Sequence, residues 1–224
     1  MTFTNELRKS ADILWKKSIQ HPFVTEIADG TLAVEKFIHY IQNDSYYLTT
    51  FAKVQLKAAS KAPDMHTISR FAVHAQSTVE AEYLLHQTFF GLLGIPHDRE
   101  FSPAPTAYEY TTHLLSIAAN GTLGEIIAAI LPCYWLYWEI GERYRNSQPN
   151  HSIYDKWITT YGDEGYGKLV FEQIHLLDDL ATNASSEQRK LMRQHFLRSS
   201  HYELRFWEMA YRIETWPPEV NEPS

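Results

Sequence analysis

The chemistry most readily available to this chain is that of a thiol, because residues 131–141 hold its only cysteine, Cys133, among four aromatic residues. Tyr137 follows at i+4 and therefore lies on the same face of a helix. A thiolate is a nucleophile, and a hydrogen bond from Tyr137 or another donor would favour the thiolate. Most free cysteines are instead small buried hydrophobic residues, so this segment by itself allows both interpretations.

Three carboxylates interrupt rows of apolar residues on predicted helices: Asp44, Glu82 and Glu203. Burial disfavours a charged carboxylate and shifts its pKa upward, toward the range useful for general acid–base catalysis. His86 follows Glu82 by one turn, so the two can hydrogen-bond or share a metal ion. Each carboxylate could equally be a structural group that a tyrosine or an arginine satisfies.

Two tyrosines are further candidates for a pocket. Tyr110 falls on an inward row with Leu114 and Ile117, so its phenol would be buried and would need a partner, although aromatic core residues are the commoner case. Tyr161 lies at a helix end, before Gly162, where side chains can line the mouth of a cavity.

Glu172 and His175 have the E-x-x-H spacing of dinuclear metal sites in helical bundles. Such a site needs a second E-x-x-H and two more glutamates, and the sequence contains no second copy of the motif. We therefore interpret this pair as exposed helix residues.

Helical periodicity dominates the sequence, which has no strand-like alternation of useful length. It predicts an all-α protein of about seven or eight helices. The predicted helices cover about 5–19, 31–59, 64–93, 106 onward, 122–145, 152–161, 164–180 and 185–215. Capping boxes mark three of the starts, at Thr106, Thr122 and Ser185. Pro132 lies inside a helix and should kink it just before Cys133.

Composition limits the class of protein. With 224 residues, 44% of them hydrophobic and 14% aromatic, the chain can form one domain over 1–224, with a peripheral tail after about 216. The formal net charge is -7 and no basic run occurs, which argues against nucleic acid or an anionic membrane as partner. A single cysteine, no basic-then-apolar leader and no apolar run of about 20 residues predict a cytoplasmic protein.

Three segments carry a resemblance to a known family. They are Asp44 with Tyr46-Tyr47-Leu48 and Phe51-Ala52-Lys53, then residues 131–137, and then residues 199–210. In this order they resemble the TenA family, thiaminase II, of the cysteine-containing class, and the resemblance extends over about 3–216. It implies a haem-oxygenase-like helical bundle, usually a homotetramer, without a metal or organic cofactor.

The resemblance also implies an activity in thiamin salvage. Members of the family hydrolyse 4-amino-5-aminomethyl-2-methylpyrimidine to the hydroxymethylpyrimidine and ammonia, and cleave thiamin into its pyrimidine and thiazole. Matched position by position, Cys133 would be the nucleophile, Glu203 the acid–base, and Asp44 the ligand of the ring nitrogen and amino group. The other implied positions are Tyr137 and Tyr161 as hydroxyls near Cys133 and Asp44, Tyr47, Tyr110 and Phe206 as stacking walls, and Glu82 and His86 in support.

Two other functions are compatible with the sequence. The same fold is used by non-haem di-metal oxidases, for which Glu82, His86, Glu172 and His175 are the available ligands. A catalytically silent pyrimidine-binding regulator would use the same pocket without turnover.

Overall fold

The computed structural model describes residues 1–93 and 101–221, except the side chains of 81–87 and 221. Over this part the chain forms eleven helices and no strand, which confirms the all-α prediction. The helices are α1 Phe3–Ser10, α2 Asp12–Ile19, α3 Pro22–Asp29, α4 Val34–Ser60, α5 Met65–Leu93, α6 Pro105–Asn120, α7 Leu123–Tyr144, α8 Ser152–Tyr161, α9 Glu164–Thr182, α10 Ser186–Arg212 and α11 Pro218–Asn221.

The extra helices are short and lie at the two ends of the chain. The single helix predicted over 5–19 is in fact α1 and α2, which a turn at Ala11 separates. Helix α3 was not predicted, because its eight residues carry little helical phase; the side chain of His21 caps its start. Gly30 ends α3 with φ 75, and a Cβ there would lie 1.9 Å from the carbonyl oxygen of Pro149, so glycine is required.

Two of the three predicted capping boxes are confirmed. Thr122 with Glu125 begins α7 and Ser185 with Gln188 begins α10. The box predicted at Thr106 is wrong, since α6 begins at Pro105 after an extended Ala104. Its glutamate, Glu109, instead pairs with Arg205 of α10.

Helix α7 lies at the centre of the bundle and packs against α8, α9 and α10, while α4 packs against α5, α6 and α10. Helix α7 continues through Pro132 without a break. Its most apolar window has a mean hydropathy of 1.2 and is long enough to cross a membrane, but 83% of that window is buried inside the protein. The apolar residues of α7 therefore form part of the core of the protein. Trp15, Trp157 and Trp207 are fully buried beside it.

Candidate active site

A cavity of about 290 Å³ opens between helices α4, α5, α7, α8 and α9. Four of the residues singled out from the sequence line it, one from α4, two from α7 and one from α8: Asp44, Cys133, Tyr137 and Tyr161. Cys133 and Tyr137, which are four residues apart on α7, therefore both face this cavity. Its volume is at the lower end for small-molecule sites, which suits a ligand of about one aromatic ring.

Glu203 lies behind this cavity, on α10, and is only 2% exposed. Tyr110 of α6 donates a hydrogen bond of 2.7 Å from its hydroxyl to Glu203 Oε1. Burial raises the pKa of Glu203 to about 8, and the negative charge of Asp44 adds to the rise, whereas the Tyr110 hydrogen bond opposes it. At neutral pH this carboxyl is therefore mostly protonated and can donate a proton.

Cys133 is surrounded by protein but keeps surface that faces the cavity. Burial raises the pKa of its thiol well above the usual range, and the charges of Glu203 and Asp44 act in the same direction. The Tyr47 hydroxyl is buried without a hydrogen-bond partner of normal geometry among the described residues, and it lies close enough to the sulfur to lower this pKa in part. The prediction named Tyr137 or another donor, and Tyr47 is the group placed to act as that other donor.

The three residues predicted as stacking walls form one aromatic cluster. The ring of Tyr47 lies 5.0 Å from that of Tyr110 and 5.9 Å from that of Phe206, centroid to centroid. None of the three is among the described residues that line the cavity; through Tyr47 the cluster adjoins Cys133, and through Tyr110 it adjoins Glu203. Their contact with a substrate ring stays a prediction.

Asp44 supplies negative charge to the tyrosine end of the cavity. It is buried, and its charge, after burial itself, raises the pKa of Tyr40 and of Tyr161. The rings of Tyr137 and Tyr161 pack edge to face at 4.7 Å, and the Tyr40 and Tyr137 hydroxyls are 3.4 Å apart. This end of the cavity is suited to ring N–H and amino groups, which can donate to a carboxylate.

Tyr161 is held in place by a close approach of two backbones. A Cβ at Gly141 of α7 would lie 2.3 Å from the carbonyl carbon of Tyr161 and 2.4 Å from the nitrogen of Gly162. Only glycine lets α7 and the end of α8 come this close.

Several residues of the cavity wall were assigned no role from the sequence, and those with titratable side chains are His74, Tyr134 and Tyr166. His74 lies three residues after Phe71, on the inward face of α5, and this phase is the signal that could have identified it. Tyr134 is part of the segment that carries the family resemblance, but its side chain was assigned no role.

The candidates for a metal site do not converge in the described part of the chain. Glu172 hydrogen-bonds to Arg70 and His74, and His175, on the same helix, is exposed. No group of three or more His, Cys, Asp or Glu side chains in these ranges is placed to hold a metal ion. The side chains of Glu82 and His86 lie outside the described residues.

Comparison with known proteins decides the family. The model of the TENA/THI-4/PQQC family matches residues 8–213. This chain belongs to that family. The aminopyrimidine aminohydrolase of Bacillus subtilis (strain 168) is 49% identical over 218 residues, which cover 96% of this chain and 92% of the relative. The family predicted from the three segments is thus confirmed.

Solved structures of other proteins have the same architecture. A TenA homologue from Pyrococcus horikoshii OT3 superposes with a TM-score of 0.87 at 28% identity, covering 95% of this chain and 99% of that one. A domain with a heme oxygenase-like fold from Shewanella denitrificans has a TM-score of 0.72 at 15% identity, covering 94% and 92%. The predicted haem-oxygenase-like fold is confirmed.

Proposed function

We propose that the chain is an aminopyrimidine aminohydrolase that acts in thiamin salvage. It converts 4-amino-5-aminomethyl-2-methylpyrimidine and water into the hydroxymethylpyrimidine and ammonia. The observation that carries the proposal is that Cys133 and Asp44 line one cavity of about 290 Å³, with Glu203 buried behind it, where a pKa of about 8 favours the neutral acid. The relative from Bacillus subtilis, which has this activity in its name, adds independent support.

Asp44 binds and orients the ring. Its carboxylate accepts hydrogen bonds from the amino group and from a ring nitrogen that carries a proton, which makes the ring a better acceptor of electrons. Tyr137 and Tyr161 flank this end of the cavity and supply hydroxyls, while aromatic surfaces favour a flat ring. Binding places the ring carbon next to the Cys133 sulfur.

Cys133 is the nucleophile. Its sulfur adds to the unsubstituted ring carbon next to the carbon that bears the aminomethyl group. The double bond between these two carbons then shifts to the exocyclic methylene, and the bond from the methylene to the amine breaks with its electron pair on nitrogen. Water then adds to the methylene, the double bond returns to the ring, and the sulfur leaves as thiolate. Two easier steps thereby replace a direct displacement.

Glu203 exchanges the protons of these steps. As a neutral acid with a pKa of about 8, it gives its proton to the departing amine. The resulting carboxylate then accepts a proton from the attacking water, which restores the acid. In thiamin the leaving nitrogen is quaternary and departs as a neutral thiazole, so the same thiol addition cleaves thiamin without protonation of the leaving group.

The decisive experiment is an ammonia-release assay on the aminomethylpyrimidine. We expect turnover by the wild-type chain and a loss of at least about 100-fold in kcat for Cys133→Ser, with binding retained. Binding without ammonia release by the wild type would indicate a pyrimidine-binding regulator. Activity that depends on a tightly bound metal, detected by elemental analysis, would indicate the di-metal oxidase class.

Two finer features also belong to the proposal. The family resemblance implies a homotetramer, and the single cysteine together with the composition predicts a location in the cytoplasm. Light scattering should then give four times the mass of one chain, and a stable monomer with full activity would contradict the tetramer.

A further inference from the structure

A line of hydrogen bonds runs from the cavity wall to the protein surface through Tyr134, His74 and Glu172. The Tyr134 hydroxyl lies 3.0 Å from His74 Nδ1, and His74 Nε2 lies 3.2 Å from Glu172 Oε2. Tyr134 and His74 both line the cavity that Cys133 lines. The side chain of His74 is fully buried, whereas that of Glu172 is 44% exposed. The line thus connects the cavity with solvent.

The partners determine the direction of every hydrogen bond in this line. Glu172 accepts, so His74 Nε2 carries the hydrogen and His74 Nδ1 has the lone pair. Nδ1 can therefore accept from the Tyr134 hydroxyl, whose oxygen in turn accepts from Gln55 Nε2. Gln173 Nε2 lies 3.5 Å from His74 Nε2, which is too long for a strong hydrogen bond, so the shorter contact with Glu172 decides the tautomer.

Burial lowers the pKa of His74 and so keeps the ring neutral at rest, with a lone pair on one nitrogen. Among the charged groups that face the ring, Glu172 raises this pKa in part and Arg70 lowers it. Arg70 is held by Glu172, so the carboxylate lies between the imidazole and the guanidinium. A proton that reaches Nδ1 creates an imidazolium beside the Glu172 carboxylate, which stabilises it.

The proposed reaction needs such an acceptor. The thiol of Cys133 has a pKa above its usual range, so it is protonated at neutral pH, and Glu203 is itself mostly protonated there. Asp44 is engaged with the ring in the proposed function. Among the described residues that line the cavity, His74 is the only histidine, and its neutral Nδ1 is directed at the wall.

We infer that the Tyr134–His74–Glu172 line is the general base for Cys133. This inference rests on the proposed function. As the sulfur bonds to carbon, the thiol proton passes to the Tyr134 oxygen, directly or through one water, and the Tyr134 proton passes to His74 Nδ1. The sulfur keeps its electron pair, and the imidazolium is held by the Glu172 carboxylate. When the sulfur leaves, the proton returns by the same route, so a full turnover restores every group.

Tyr134 and His74 act through one another, as in other sites where a base is oriented by a third group. Tyr134 can take part because its oxygen has a second lone pair, beside the one that Gln55 occupies, for a donor in the cavity. None of the steps assigned to Cys133, Glu203 and Asp44 in the proposed function uses the hydrogen bonds among Tyr134, His74 and Glu172.

The test compares His74→Gln and Glu172→Gln with a control, His175→Gln, at an exposed histidine on the same helix as Glu172. Two rates are measured from pH 6 to 10: ammonia release, and alkylation of Cys133 by iodoacetamide, which is specific because the chain has one cysteine. Thermal unfolding and circular dichroism report whether each variant is folded.

We expect His74→Gln to lower kcat at pH 7 by about 100-fold and Glu172→Gln by about tenfold, with KM within about twofold. Both deficits should shrink as the pH rises, since hydroxide then removes the thiol proton, and alkylation should follow the same pattern. His175→Gln should match the wild type. A purely structural role predicts a deficit that is equal at every pH, and that result, or unchanged alkylation, overturns the inference.

The two proposals fail in different ways. If the wild type releases no ammonia, the proposed function fails, while the alkylation profile still reports whether His74 assists the thiol. If His74→Gln does not fold, Glu172→Gln decides, because its side chain is nearly half exposed. A folded Glu172→Gln with wild-type pH profiles for both rates overturns the inference.

Discussion

The Tyr110 hydroxyl donates a hydrogen bond of 2.7 Å to Glu203 Oε1, and the two residues come from positions 93 apart in the chain. Both side chains are buried, so the carboxyl has little access to water. Tyr110 stabilises the carboxylate and thereby limits how far burial raises the pKa of Glu203. Burial and this contact together therefore set the pH at which the acid loses its proton.

Tyr110→Phe should shift the pH profile toward higher pH. Without the hydrogen bond the Glu203 carboxylate is less stable, so its pKa rises further and the fall of kcat on the alkaline side moves upward. The pH dependence of ammonia release measures this shift, and Tyr108→Phe, an exposed tyrosine on the same helix, is the control. A profile that stays in place would mean that Glu203 does not limit the alkaline side.

Glu203→Gln should lower kcat by at least about 100-fold and yet stabilise the fold at alkaline pH. The pKa of Glu203 is about 8 in the folded protein, above the ordinary 4.5. The contribution of the protonated carboxyl to the free energy of unfolding is therefore complete below pH 4.5 and is lost as the pH rises through 8. The variant should therefore match the wild type near pH 4.5 and exceed its unfolding free energy by roughly 2–4 kcal/mol at pH 8.

Urea unfolding at several pH values measures this difference. Glu109→Gln, which changes a carboxylate in a surface ion pair with Arg205, serves as control and should alter stability by less than about 1 kcal/mol. If the difference in unfolding free energy between Glu203→Gln and the wild type is no larger at pH 8 than at pH 4.5, the carboxyl is not the buried acid described above.

Asp44→Asn should weaken substrate binding more than turnover. The amide keeps one oxygen acceptor but loses the charge that favours a protonated ring, so KM should rise by about tenfold or more while kcat falls less. Steady-state kinetics separates the two, with Asp179→Asn, an exposed position on α9, as the matched change. An unchanged KM would remove Asp44 from the ring-binding end of the cavity.

Gly141→Ala should disturb the site from outside it. The new methyl would lie 2.3 Å from the backbone of Tyr161, so the end of α8 must move and the Tyr161 ring loses its position beside Tyr137. We expect a loss of about 1–3 kcal/mol in stability together with a higher KM. Gly91→Ala in α5 has nothing within 4 Å of its Cβ, so it should be stabilising by up to about 1 kcal/mol.

The long helices were predictable because their signals are local. Helices α4, α7 and α10 have apolar faces over 27, 22 and 27 residues, and Asp44 and Glu203 were found as polar interruptions of such faces. Helical phase alone decides that these carboxyls point inward. Short helices carry less phase information, and for that reason the turn at Ala11 and the whole of α3 were missed.

The pairing of side chains was not predictable in the same way. The sequence could name only Tyr137, which is near in the chain, or an unspecified other donor for Cys133, and the group that lowers the pKa of the thiol is Tyr47 of another helix. Glu172 and His175 share a metal-ligand spacing and were interpreted as exposed helix residues, but Glu172 in fact contacts Arg70 and His74, and His74 lies 98 residues earlier. Contacts between distant residues depend on which helices are neighbours.

By itself the sequence determined the helical class, the family, and the inward direction of Cys133, Asp44 and Glu203. Only the tertiary structure decided that α4, α5, α7, α8 and α9 enclose one cavity, and that α10 places Glu203 behind it. The physical reason is that helical periodicity specifies which face of a helix is buried, whereas packing between helices specifies which buried groups meet and, through desolvation and charge, which of them carry a proton.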